Sequence, residues 1–131
     1  MVKKVSVPKD LLIKPTQTTF GIEFLFSKGV FRFTGDSYPE NSVEFFQPLL
    51  IRITEYLLFP GKDLTIEFRV NYFNTSTSKY LFQFMELLAA YQAYGNQLNI
   101  TWFSSGTDDD MLEVWREIML ELDLSFRIEN A

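Results

Sequence analysis

Residues Leu64–Phe73 alternate apolar and polar side chains, Leu64-Thr65-Ile66-Glu67-Phe68-Arg69-Val70-Asn71, between the breaker pair Pro60-Gly61 and the polar cluster Asn74-Thr75-Ser76-Thr77-Ser78. A period of two between turn residues is the pattern of a strand inside a sheet. The polar cluster is rich in residues that cap helix N-termini, and Leu81, Phe84, Leu88 and Tyr91 follow it on one helical face. A strand that feeds directly into a capped helix is half of a strand–helix–strand unit, and such units favour parallel pairing.

The rest of the chain fits that frame. Apolar residues dominate 19–26 and 30–34 on either side of Ser27-Lys28-Gly29, which predicts a β-hairpin with the glycine at positive φ. Phe45, Leu49, Ile53 and Leu57 then recur every fourth residue, so a helix begins within the polar stretch 35–42 and ends near Pro60-Gly61. Pro48 either kinks that helix or marks a later first turn. Gly95-Asn96 ends the second helix, residues 98–103 read as a strand, and Thr107 with Asp110 has capping-box spacing ahead of a third helix carrying Met111, Trp115, Ile118 and Leu122. Residues 124–128 are long enough for a last edge strand.

The first eighteen residues hold two prolines, four lysines and a Thr/Gln run without periodicity, and are expected to form an irregular arm (residues 1–18) ahead of a single domain (residues 19–131). The expected order is β-β-α-β-α-β-α-β: an α/β fold with a mixed sheet, an N-terminal hairpin and three covering helices. Leu64–Phe73 should lie near the centre of the sheet, with Phe84 and Leu88 buried.

Composition narrows the chemistry. The 131 residues contain no Cys and no His, which removes thiolate nucleophiles, Ser-His-Asp triads, imidazole bases, and zinc sites built from those ligands. A non-enzymatic protein without a cofactor is expected. No disulfide is available, no signal-peptide pattern follows Met1, and no apolar run approaches ~18 residues. A cytoplasmic protein with no membrane insertion is the consequent expectation. The formal net charge of −5 opposes the electrostatics of nucleic-acid binding, so a DNA or RNA partner is disfavoured.

Three polar clusters carry the candidate sites. In open α/β sheets, ligands and partners gather where strand C-terminal ends meet helix N-termini, and the Phe73-Asn74-Thr75-Ser76 junction is such a place. A phosphate on Thr75 would meet free amides at the positive end of the second helix, with Lys79 one turn on; the plainer reading is that the cluster only caps the helix. Gly35-Asp36-Ser37-Tyr38-Pro39-Glu40-Asn41-Ser42 serves either binding or a turn and helix start, Ser37 and Glu40 having capping-box spacing. Asp108, Asp109 and Asp110 suit a helix dipole better than a Mg²⁺ or Ca²⁺ site, so no metal is expected. Tyr80, Tyr91 and Tyr94 cannot all face inward, and an exposed remainder suits a partner surface.

The stretch from Gly35 to Ser42, taken with Asn74-Thr75-Ser76, Lys79 and Glu86-Leu87-Leu88, resembles the SiaC-type regulatory phosphoproteins from about Phe31 onward. Proteins of that family look like single STAS-type, partner-switching domains. The resemblance implies phosphorylation of Thr75 by a cognate Ser/Thr kinase-like protein, reversal by a metal-dependent Ser/Thr phosphatase, and activation of a diguanylate cyclase by the unmodified form, in cyclic-di-GMP signalling and biofilm regulation. It further implies a partner-binding surface of Asp36, Ser37, Tyr38, Pro39, Glu40, Asn41, Asn74, Thr75, Ser76 and Lys79. Two other readings stand beside it: an anti-sigma-factor-antagonist-like switch with another target, and a purely structural interaction subunit.

Overall fold

The computed structural model describes residues 7–59, 61–106 and 109–131. Over these the chain runs β1 (Leu11–Ile13), β2 (Gly21–Leu25), β3 (Val30–Ser37), α1 (Ser42–Tyr56), β4 (Leu64–Phe73), α2 (Thr75–Ala93), β5 (Leu98–Ser104), α3 (Asp110–Glu121) and β6 (Arg127–Asn130). The six strands form one mixed sheet in the order of the chain, β1-β2-β3-β4-β5-β6. The β1·β2 and β2·β3 pairs are antiparallel, and every later pair is parallel. The expected hairpin is present, with Gly29 at φ 69° closing it.

The segment expected to be wholly irregular contains β1. Leu11 and Ile13 pair with Phe24 and Ile22 at the sheet edge. Three residues are too few to show a period, so this strand exists only through its partner. The last strand also lies further along than residues 124–128: the chain first turns at Leu122 and Asp123, and Arg127–Asn130 then pair with β5.

Right-handed crossovers between strands that advance steadily in one direction put every helix on the same face. Accordingly α1 packs against α2 and α2 against α3. Phe24, Phe31, Phe33, Ile66, Phe68, Ile100 and Trp102 point under the helices and are buried, as are Phe84 and Leu88 from above. Phe33 stacks on Phe68 at 4.8 Å, Phe84 meets the edge of Phe33 at 5.1 Å, and Trp115 of α3 lies 4.2 Å from Phe68. Such aromatic pairs add to their burial through edge-to-face and offset geometry. The opposite face carries the alternate residues and is the more polar: Arg32 bridges Glu67 at 2.7 Å and Glu23 at 3.4 Å across three adjacent strands. Among the described residues no helix is long and apolar enough to cross a membrane.

The Leu64–Phe73 alternation breaks before its end. Between Gly35 and Asp36 the β3·β4 register shifts, so that Gly35 faces Val70 but Asp36 faces Tyr72, leaving Asn71 as an extra residue. A bulge of this kind inverts the side-chain parity downstream. Phe73 therefore turns into the core and Tyr72 turns out.

Pro48 lies in the second turn of α1, not at a delayed first turn. The caps differ from the expected pairs as well. Asn41, not Ser37, caps α1, accepting from Glu44 N at 3.1 Å while its amide donates to Glu44 Oε2 at 3.3 Å. Asp109 caps α3, accepting from Leu112 N at 3.1 Å. Thr107, the other candidate cap, lies outside the described residues, as does Asp108.

Candidate functional site

The two motifs singled out in the sequence meet at one end of the sheet. β3 ends at Ser37 and β4 at Phe73, side by side, and α1 and α2 both begin there. The junction is tied at several points. Asn74 N donates to Ser37 O at 3.0 Å, and the Asn74 side chain accepts from Thr77 N at 2.9 Å. Thr77 Oγ1 lies 2.7 Å from Ser37 Oγ and donates to Ser37 O at 3.2 Å. Ser76 Oγ touches Ser42 Oγ at the first turn of α1. Ser78 Oγ donates to Thr75 O at 2.7 Å.

These contacts sort four consecutive hydroxyls. Thr77 is fully buried, while Ser76 and Ser78 are partly covered and bonded. Thr75 sits at the first helical position, exposed, and its hydroxyl has no hydrogen-bond partner among the described residues. Asn74 takes the capping role, so the side chain of Thr75 is not needed to start the helix. The backbone amides of Thr75 and Ser76 fall among the donors that an α-helix leaves without internal partners.

Around Thr75 the surface is mixed. Lys79 is exposed one turn on. Tyr38 and Tyr72, 41% and 45% exposed, meet edge to face with ring centroids 6.1 Å apart. Tyr72, Thr75 and Ser78 face Met111 and Val114 of α3 across a shallow hollow of about 240 Å³. Asp36 and Pro39 are half-covered, and Glu40 and Asn41 are exposed. Ser37 is 0% exposed and offers a partner nothing; its hydroxyl and carbonyl hold the start of α2. Tyr72 was not singled out in the sequence, and Ser42 was read only as the end of the 35–42 stretch. The bulge that exposes Tyr72 and the contact of Ser42 with Ser76 both depend on strand register.

The acidic cluster ahead of α3 has a structural use. Asp109 accepts from Trp102 Nε1 at 2.9 Å as well as from Leu112 N. Among the described residues no group of three or more His, Cys, Asp or Glu is arranged to hold a metal ion. Tyr80 stacks on Phe46 at 5.0 Å, Tyr91 is buried, and Tyr94 is exposed, so the three tyrosines divide as the helix period requires.

Comparison with known proteins agrees with these motifs. Residues 13–131 match the SiaC family regulatory phosphoprotein, a span that begins well before Phe31 and takes in the hairpin. An uncharacterized protein of Pseudomonas aeruginosa strain UCBPP-PA14 is 28% identical over 120 residues, covering 92% of this chain and 95% of the relative. The crystal structure of apo-SiaC from Pseudomonas aeruginosa superposes with a TM-score of 0.83 at 28% identity, over 92% of this chain and 98% of that one. SiaC in the crystal structure of the diguanylate cyclase SiaD with its activator SiaC, from the same organism, superposes with a TM-score of 0.86 at 28% identity, over 93% and 100% of the two chains. With the family matched over all but the first twelve residues, this chain belongs to the SiaC family of regulatory phosphoproteins.

Proposed function

We propose that this protein is a cytoplasmic, non-enzymatic adaptor that activates a diguanylate cyclase while Thr75 is unmodified and releases it when Thr75 is phosphorylated. The observation that carries this reading is the sorting of hydroxyls at the start of α2: Thr75 alone among residues 75–78 is both exposed and without a hydrogen bond among the described residues. A kinase can reach it without unfolding the helix. SiaC of Pseudomonas aeruginosa, which has this fold, is named as the activator of SiaD, and that supports a cyclase as the target.

The mechanism is electrostatic. A phosphate brings about −1.5 to −2 charges and three acceptor oxygens to one surface point. The free amides of Thr75 and Ser76 and the ammonium of Lys79 stabilise it within the free protein. An apolar partner docked over Tyr38, Tyr72 and the Met111–Val114 hollow would have to desolvate that charge, at a cost of a few kcal/mol. A Ser/Thr kinase-like protein and a metal-dependent phosphatase would set the balance. Asp36, Pro39, Glu40, Asn41, Asn74 and Ser76 frame the docking surface, and Ser37 positions it from below.

Calorimetry with the diguanylate cyclase encoded in the same genome tests the reading. Wild type and Thr75→Ala should bind alike and raise cyclic-di-GMP synthesis. Thr75→Glu should bind at least about tenfold more weakly, equivalent to ~1.4 kcal/mol. Equal binding by all three would remove Thr75 from the mechanism.

A further inference from the structure

A broad apolar hollow lies away from Thr75. It is a trough of about 860 Å³ between the edge strand β1 and helix α1, with Leu11 and Ile13 on one side and Val43, Pro48 and Ile51 on the other. Leu11 and Ile13 face the helix layer, since they pair with the buried Phe24 and Ile22, and are covered only in part. Val43 and Ile51 are each 53% exposed. A contiguous apolar surface of this kind marks an interaction site.

Two polar groups of α1 are incomplete. The Nε of Arg52 is shut off from solvent and has no hydrogen-bond partner among the described residues. Pro48 has no N–H, so the Glu44 carbonyl lacks the donor that an α-helix would give it. Glu44 and Arg52 both line the trough. They lie eight residues apart, about 12 Å along the axis, which is too far to pair with each other. Pro48 stands midway between them. A two-fold axis through Pro48 would therefore bring Glu44 of one copy onto Arg52 of the other, and Arg52 onto Glu44, in a self-complementary interface.

We propose that the β1–α1 trough is a homodimer interface, in which the α1 helices of two copies pack antiparallel about Pro48, each Arg52 paired with Glu44 of the other copy. The apolar residues Val43 and Ile51 supply the contact area and the two ion pairs fix register and orientation. The open part of the Arg52 guanidinium gains a carboxylate, and Leu11 and Ile13 gain cover. This interface adjoins the docking surface at Asn41, whose amide donates to Glu44 Oε2, but it uses no residue of α2, and a test that reads self-association alone is independent of the phosphorylation switch.

Sedimentation equilibrium on the full chain across micromolar to several-hundred-micromolar concentrations tests it, with circular dichroism to establish that every variant folds. Wild type should move from 15.4 kDa to twice that mass. Glu44→Arg and Arg52→Glu should each weaken association by about a hundredfold, because like charges then face each other in both symmetric pairs. The double variant Glu44→Arg/Arg52→Glu should recover most of the loss, and Ile51→Asp should abolish the dimer. A wild type that stays monomeric throughout assigns the trough to a different occupant and overturns the proposal. So does a dimer that survives Ile51→Asp, or a double variant no stronger than its parents.

Discussion

The hydroxyls of Ser37 and Thr77 meet at 2.7 Å, both wholly shut off from solvent, and so join the last residue of β3 to the first turn of α2. Their roles are unequal. Thr77 Oγ1 has a second partner in the Ser37 carbonyl, whereas the Ser37 hydroxyl has only Thr77. Thr77→Val should therefore strand a buried hydroxyl and cost about 2 kcal/mol, while Ser37→Ala leaves Thr77 satisfied and should cost about 1 kcal/mol. The double variant should cost less than the sum, because the two groups share one bond. Chemical denaturation of the four proteins measures this, and equal single costs would contradict the assignment of partners.

At the neighbouring position the stability effect should nearly vanish. Asn74 is the cap and Thr75 is not. Asn74→Ala is expected to lose about 1 kcal/mol, and Thr75→Ala to change stability by less than about 0.5 kcal/mol. Thermal unfolding separates the two. A large loss on Thr75→Ala would mean that its hydroxyl is structurally engaged and less free for modification.

Tyr56 carries a buried hydroxyl with no partner among the described residues, and desolvation raises its pKa above the usual 10.0. The folded protein thus holds this proton more tightly than the unfolded chain. The stability associated with it is intact below pH 10.0 and is lost as pH rises through the raised folded value. Tyr56→Phe should stabilise by about 1 kcal/mol at pH 7 and flatten the alkaline decline. Stability against pH from 7 to 11 for both proteins is the measurement, and parallel curves would sink it.

Asp10 clamps the entry to β1 onto the hairpin turn, accepting from Ser27 N and from Ser27 Oγ, each at 2.9 Å. The backbone N–H of Ser27, its hydroxyl, and Lys28 nearby hold the carboxyl below its ordinary value of 3.8. Its contribution is present above pH 3.8 and is lost as pH falls through the lower folded value. Asp10→Asn should leave the α2 amides unchanged and speed hydrogen exchange in β1. Unchanged β1 protection would show that the clamp does not hold the edge.

Periodic segments were legible and paired ones were not. Leu64–Phe73 and the start of α2 could be placed because a period of two gives way to a period of 3.6 across a run of cap-type residues. β1 and the Asn71 bulge could not, since both are defined by register with a neighbouring strand. Where several cap-type residues crowd together, spacing alone does not choose among them: Asn41 prevailed over Ser37 because Ser37 is still in β3 and buried. Thr75 was picked out by its motif, and its role is the proposal made above. What the structure adds is the reason that Ser76, Thr77 and Ser78 are less available, and those contacts bridge as many as 40 residues of chain.

Because the strand order of the sheet repeats the order of the chain, each strand pairs only with the one before it and the one after it. No segment must wait for a distant one, so the mean loop closed on folding is short and the search correspondingly fast. During synthesis the hairpin can form as soon as β3 has emerged, and each later helix–strand unit docks onto a finished edge. β6 arrives last, exposed along all four residues and held by β5 alone, and it is the strand from which the sheet should first unzip.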